Sequence, residues 1–376
     1  MRQEPMNMQS RRSFLAQGLG AAGLVLGLPR LGRASAQSAD ASIARAVEFL
    51  RTRQADDGSW SGERNEPGIT GLVVAALLKS GRMTPLDPVV SKGLAYLEQF
   101  VDPAGGFPGT SHANYTTAIA IMAFHEANRD GRYDAIVKGG QDFLKTKQWD
   151  EGEGRHPDDV FYGGAGYGGR SDRPDLSNTA FMVEALRETG LPADDPALQK
   201  ALIFVSRSQN LDSEFNDQPW AEKVNDGGFI YTPANGGSSL AGEAPGGGLR
   251  SYGGMTYAGF KSLVYAGLTR DDPRVKAALE YIRAHYTVEE NPGLGQVGLY
   301  YYYQAMAKAL AAFGEPTIVD SQGVSHDWRA DLTAALVKRQ GPRGEWVNPA
   351  DRFMEGDPNL VTAYGILALA SVRASG

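Results

Sequence analysis

The chain has 376 residues, 37 basic against 44 acidic side chains, a net charge of −7 and no cysteine. Without cysteine there can be no disulfide, no thiolate metal site and no cysteine nucleophile. An acidic balance without basic runs argues against a nucleic-acid partner.

Residues 1–36 read as an export address rather than as part of the fold. Arg11-Arg12 stand before Phe14-Leu15, an apolar run extends from Ala16 to Leu28, and Ala34-Ser35-Ala36 makes a small-x-small cleavage site. This is the pattern of a twin-arginine (Tat) signal. The run is too short and Gly-rich for a membrane-spanning helix. The expectation is engagement by the Tat export machinery, cleavage near Gln37, and a periplasmic or extracellular protein. Residues 37–376 then form one domain, with 32 basic and 43 acidic side chains and a net charge of −11.

A helix start recurs along that domain. Asp40, Asp87, Asp134, Asp195, Asp272 and Asp327 each lead, nine and ten residues on, to an apolar pair such as Phe49-Leu50 or Tyr281-Ile282. Pro88, Pro196 and Pro273 follow three of them, and Asp at the N-cap with Pro at N1 is a strong start signal. Six residues after each Asp stands a small residue: Ala46, Gly93, Gly140, Ala201, Ala278 or Thr333.

A second frame interleaves with the first. It ends in Leu77, Phe124, Leu186, Leu263, Leu310 and Leu369, each preceded by Ala or Ser. Seven residues earlier stand Thr70, Thr117, Thr179, Thr256, Tyr303 and Thr362. Four residues later, in five copies, stands Gly or Asn, the residues a left-handed C-cap wants. The second frame is apolar on all sides, as in GLVVAALL, so it must be buried on all sides. The first is amphipathic. Strict alternation of six buried and six half-exposed helices predicts an all-α closed (α/α)6 toroid of six helical hairpins, with an inner and an outer ring, acting as a monomer.

The loops leading into the inner helices are the long ones, and residues 227–254 alone hold ten glycines. Long loops of this kind bind or cover something. Six inner-helix N-termini converge at that end, which favours an anion there. The candidate site residues lie beside them: His112, Asn114 and Tyr115; Arg170, Arg173, Asp175 and Asn178; Arg250, Tyr252 and Tyr257; Gln296, Tyr300 and Tyr303; Asp357 and Asn359. Asp175 and Asp357 have a second reading as plain N-caps, and the repeated Thr as hydroxyls bonded to backbone. In the run Tyr300–Tyr303, Tyr300 and Tyr303 share a helix face while Tyr301 and Tyr302 point elsewhere.

The Gly-spaced pairs Gln54…Trp60 and Gln340…Trp346 resemble the Gln–Trp repeats of the squalene cyclase and prenyltransferase superfamily. RPDLSNT, GGLRSYGGMTYAG, GLYYYYQ and GDPNLVTAY resemble phrases of its single-toroid bacterial members, the prenyltransferase and squalene-oxidase-repeat proteins. The resemblance covers nearly all of residues 37–376 and implies their toroidal fold and an isoprenoid-like ligand. In squalene–hopene-type cyclases a helix opens Asp-x-Asp-Asp-Thr, and the middle Asp is the acid. Here the frame reads Asp175-Leu176-Ser177-Asn178-Thr179, so only Asp175 carries over as a catalytic candidate. The family's zinc-binding prenyltransferases use a Cys ligand. This chain has none, so no metal and no cofactor is expected.

Two other classes remain open at this stage. A polysaccharide lyase would use Arg250, Tyr252 and His112, and a hydrolase would pair Asp175 with Asp357 across the mouth. A non-catalytic shell would keep the toroid and hold an isoprenoid or a glycan. No nucleotide loop, HExxH or GxSxG occurs.

Overall fold

The computed structural model describes residues 28–62, 67–168 and 173–374, with side chains from residue 37 onward. The twin arginines of the expected export signal lie outside the described residues, as does Arg170. The first helix, α1 (Leu28–Thr52), runs through the expected cleavage site. It starts well before Asp40, which the repeat frame put at its N-cap. Asp40 instead lies inside the helix and pairs with Arg373 at 3.0 Å.

The molecule is mostly helical. After α1 come α2 (Pro67–Lys79), α3 (Pro88–Glu98), α4 (Ala113–Ala127), α5 (Asp134–Lys145), α6 (Leu176–Glu188) and α7 (Pro196–Arg207). Then follow α8 (Ala221–Val224), α9 (Gly253–Tyr265), α10 (Pro273–Ala284), α11 (Leu299–Phe313), α12 (Trp328–Arg339) and α13 (Pro358–Ala374). Twelve of these are the helices of the two frames. The short α8 was not anticipated and lies in the long glycine-rich connection before α9. A small antiparallel hairpin, β1 (Ile318–Val319) with β2 (Ser325–His326), sets Ile318 opposite His326.

The start signals work locally. Asp195, Asp272 and Asp327 accept from Ala197 N, Arg274 N and Arg329 N at 2.9, 2.9 and 3.1 Å. Asp87 stands at the N-cap of α3 but turns its carboxylate back to Thr84 N. Asp134 is the first residue of α5 rather than its cap.

Inner helices α2, α4, α6, α9, α11 and α13 are buried over most of their residues. Each packs on the next, and α13 packs on both α11 and α2. The outer helices lie against them, α3 on α2, α5 on α4, α7 on α6, α10 on α9 and α12 on α13, while α1 meets α12 and α13. The small residues of the first frame permit this approach: a Cβ on Gly140 would stand 2.2 Å from Ile121 Cγ2, and on Gly93 2.6 Å from Val74 Cγ2.

The repeated Thr staple each loop to its inner helix. Thr70, Thr117, Thr179, Thr256 and Thr362 accept from the backbone N–H of Trp60, Phe107, Ala165, Phe229 and Trp346 at 2.9–3.1 Å. The Gln side chains bridge neighbouring repeats: Gln54 Nε2 donates to Val89 O, Gln148 to Ala197 O and Gln209 to Arg274 O. Gln340 Nε2 donates to Ser42 O at 2.9 Å, which ties the last repeat to α1. Trp60 and Trp346 donate from Nε1 to Leu50 O and Leu336 O, pinning each ring to its own outer helix. Among the described residues no helix is long and apolar enough to cross a membrane.

Candidate functional site

The α6 N-terminus is organised by Asp175. Its backbone is extended, as an N-cap requires, and its Oδ1 accepts from Asn178 N at 2.9 Å. Oδ2 accepts from Asn178 Nδ2, also at 2.9 Å, and Tyr231 adds a side-chain hydrogen bond. Burial pushes the carboxyl up to about 6, against those hydrogen bonds and the nearby Arg173 charge, which pull it down. Both oxygens are engaged as acceptors. A carboxyl in that role holds a helix start and is badly placed to hand a proton to an alkene. Thr179 below it donates to Asp175 O at 2.7 Å, completing the turn.

Beneath this cap, rings from four inner helices meet. Tyr115 of α4 lies 4.4 Å from Phe181 of α6, centroid to centroid, and its hydroxyl is 2.8 Å from that of Tyr364 of α13. Tyr301 of α11 stands 6.2 Å from Phe181 and 6.3 Å from Tyr364, and its hydroxyl accepts from Ser177 Oγ at 3.5 Å. Tyr115, Ser177 and Tyr301 each keep accessible surface. Yet desolvation is the largest influence on the hydroxyls of Tyr115 and Tyr301 and raises both above the ordinary tyrosine value. Both hydroxyls are therefore surrounded by protein rather than by bulk water.

Polar atoms without hydrogen-bond partners among the described residues border this region. They are Asn114 Oδ1, Arg173 Nη1 and the Tyr252 hydroxyl. Asn114 reaches Asn178 through Nδ2 at 3.3 Å, and Arg173 and Tyr252 both interact electrostatically with Asp175. Buried polar atoms are nearly always satisfied in native proteins, so an orphan marks a place for a water or a ligand group. Together these supply an acceptor, a cationic donor and a hydroxyl that does either.

The structure therefore brings Asn114, Tyr115, Arg173, Asp175, Asn178 and Tyr252 together. It separates the other candidates. His112 is exposed, its ring edge-on to Tyr167 at 5.1 Å. Arg250 and Gln296 are exposed, and Gln296 Nε2 donates to Glu289 O. Tyr257 packs on Tyr302 at 5.5 Å. Tyr300 and Tyr303 do share a face, with rings 5.7 Å apart, but Tyr303 donates to Val288 O, away from Asp175. Tyr301, which the sequence reading turned away from the Tyr300 and Tyr303 face, is the member of that run that joins the ring cluster.

Asp357 caps α13 through Asn359 N at 2.8 Å. With Asn359, Arg53, Trp60, Ser61 and Arg352 it borders a separate cavity of about 580 Å³, which Asp175 does not line. Among the described residues, that cavity brings Asp357 together with Asn359 and not with Asp175.

The expected positive mouth is also largely answered from within. Asp175 caps α6, Asn291 Oδ1 accepts from Gly254 N of α9, and Asp357 caps α13. Glu355 Oε1 accepts from Tyr300 N and Tyr301 N of α11 at 3.0 and 2.8 Å. First-turn donors taken by the protein's own side chains are not available to an external anion. Glu355 is fully buried and burial raises its pKa. No local pattern marks it in sequence, because it caps a helix in another repeat. Among the described residues no group of three or more His, Asp or Glu could hold a metal ion.

No family model matches the chain. Over 202 residues, 47% of its length, it is 23% identical to a probable squalene–hopene cyclase of Sinorhizobium fredii, and the match spans 31% of that relative. Among solved structures it is similar to the type II terpene cyclase MstE from Scytonema. An arginine-to-alanine variant of that enzyme, in complex with its substrate geranylgeranyl dihydroxybenzoate, aligns with a TM-score of 0.55 and 14% identity. That alignment covers 92% of this chain and 100% of the other. The apo enzyme aligns with a TM-score of 0.51 and 13% identity, covering 90% and 98%. The chain thus has the fold of type II terpene cyclases and a squalene–hopene cyclase as a sequence relative, as a squalene cyclase/prenyltransferase-like protein would.

Proposed function

We propose that this protein binds an isoprenoid-like small molecule in the ring-lined space under Asp175, its polar head at Asn114, Arg173 and Tyr252. The carrying observation is the partly accessible surface on Tyr115, Ser177 and Tyr301 beside buried polar atoms that have no hydrogen-bond partner among the described residues. Tyrosine and phenylalanine faces suit the apolar body of such a ligand and would also steady a developing cation. The structural neighbours carry a ligand of this build, an isoprenoid chain with a polar aromatic head.

The reading includes a single domain over residues 37–376, closed as six helical hairpins and exported by the Tat route as a monomer. The packing of α13 on α2 and the Gln340 bond to Ser42 support closure. Acid-initiated cyclisation is not part of it, because the carboxyl carried over from the cyclase motif has both oxygens accepting hydrogen bonds. The filled helix starts favour an isoprenoid over a purely anionic ligand.

Native mass spectrometry with lipid extraction on the purified protein tests the proposal, beside a Ser177→Phe variant that fills the space. The wild-type protein retains an isoprenoid, or takes up added farnesol, and Ser177→Phe loses it with an unchanged melting temperature. A wild-type protein that neither carries an isoprenoid nor binds added farnesol would defeat the reading.

A further inference from the structure

Below the rings, the inner helices carry buried charge that the chamber reading does not use. Glu184 of α6 is fully buried and accepts from Lys261 of α9 at Oε2 and from Lys308 of α11 at Oε1. Lys308 also donates to Glu188 at 3.1 Å, and Glu188 accepts from Lys79 of α2 at 2.7 Å. Lys79 in turn faces Glu126 of α4 at 3.9 Å. The network crosses between helices that are not neighbours and forms a charged floor. Lys261 is its upper member, with its ammonium 6.0 Å from the centroid of Phe181, one of the chamber rings.

The distance from the polar cap to the charged layer follows from helix geometry. Ser177 to Glu184 on α6 and Tyr301 to Lys308 on α11 are each seven residues, about 10 Å at roughly 1.5 Å per residue. A ligand held at Arg173 and Tyr252 and running along the rings to Phe181 would end near Lys261, 6.0 Å from that ring. That ammonium has three protons and one hydrogen-bond partner among the described residues, Glu184. A purely hydrocarbon end pressed on this ion pair would exclude water and return nothing for it. A hydroxyl or carbonyl oxygen there would accept from Lys261.

We infer that the ligand is polar at both ends: an apolar isoprenoid stretch with its head at Asn114, Arg173 and Tyr252 and a distal oxygen that accepts from Lys261. The inference rests on the proposed chamber and narrows its ligand class. It assigns Lys261 as a specificity-determining residue on a helix face that the repeat pattern marks as apolar.

Calorimetric titration with geraniol and farnesol, each with and without a terminal ω-hydroxyl, tests it. In the wild-type protein the doubly hydroxylated form binds about tenfold tighter at one of the two lengths, the size of one hydrogen bond to a charged group. In Lys261→Met that preference disappears while the singly hydroxylated alcohol still binds. Equal binding of both forms by the wild type overturns the inference and leaves the chamber standing, as does a preference that survives in Lys261→Met. Failure of all four alcohols to bind the wild type removes the chamber and this inference with it. If Lys261→Met does not fold, the wild-type preference decides alone.

Discussion

Asp175 is the one carboxyl in the frame that resembles the cyclase motif, whose middle Asp is the acid. Here the two positions that would carry the acid and its neighbour are Ser177 and Asn178, and Asn178 turns its amide back onto Asp175. The sequence left a choice between acid and helix cap, and three hydrogen bonds to the carboxylate favour the cap. The residue still titrates usefully. Burial raises it from 3.8 to about 6, so the folded protein holds this proton more tightly than the unfolded chain. Its contribution to stability is fully present below about pH 3.8 and is lost as the pH rises through about 6, worth on the order of 3 kcal/mol at about 1.36 kcal/mol per unit. Asn caps helices as well as Asp does. Asp175→Asn should therefore gain stability on the wild type as the pH rises between those values, read by urea unfolding at a series of pH values. Parallel curves for the two proteins would show that Asp175 does not titrate there.

Single helices were legible because their signals are local. Asp with Pro at the start, Gly or Asn at the end and an all-apolar face in alternate helices identify the two frames without any tertiary information. The recurring Thr and Gln were legible as positions but not as contacts. Thr362 and Gln340 tie loop to helix and repeat to repeat over separations that periodicity does not report. Two substitutions separate these roles. Trp346→Ala removes a fully buried indole and its bond to Leu336 O, and should cost about 3–5 kcal/mol in chemical unfolding. Gln340→Ala loses the bonds to Ser42 O and Gly344 O and should cost about 1–3 kcal/mol. Its effect should centre on the junction with α1, visible as faster amide exchange there than in α6. Uniform exchange after Gln340→Ala would show that the junction is not held by this side chain.

Across the whole molecule the buried charges are the largest departure from the apolar inner ring. Glu184 serves two lysines, so neutralising it alone strands Lys261 and leaves Lys308 with Glu188 alone. Glu184→Gln should cost about 3–5 kcal/mol in thermal or urea unfolding. Replacing the set together, with Glu184→Leu, Lys261→Met and Lys308→Met, should be close to neutral or stabilising, because the desolvation cost leaves with the charges. A triple variant as unstable as the single one would mean that the network holds the inner helices by more than its own pairing. The same triple should also erase the preference for a doubly hydroxylated ligand, which links this stability test to recognition.

The sequence by itself determined the twelve helices of the two frames and which of them are buried, since capping and periodic apolarity act over one or two turns. It also named Tyr115, Arg173, Asp175, Asn178 and Tyr252 as candidates beside the inner-helix starts. Only the tertiary structure decided which candidates lie together. It set aside His112, Arg250 and Gln296 at the surface and Tyr257, Tyr300 and Tyr303 in packing, and it brought in Tyr301, Phe181, Tyr364 and Lys261. The physical reason is rotation and distance. A shift of one residue turns a side chain by about 100° on a helix, and partners such as Tyr115 with Tyr364 or Glu184 with Lys308 lie more than a hundred residues apart.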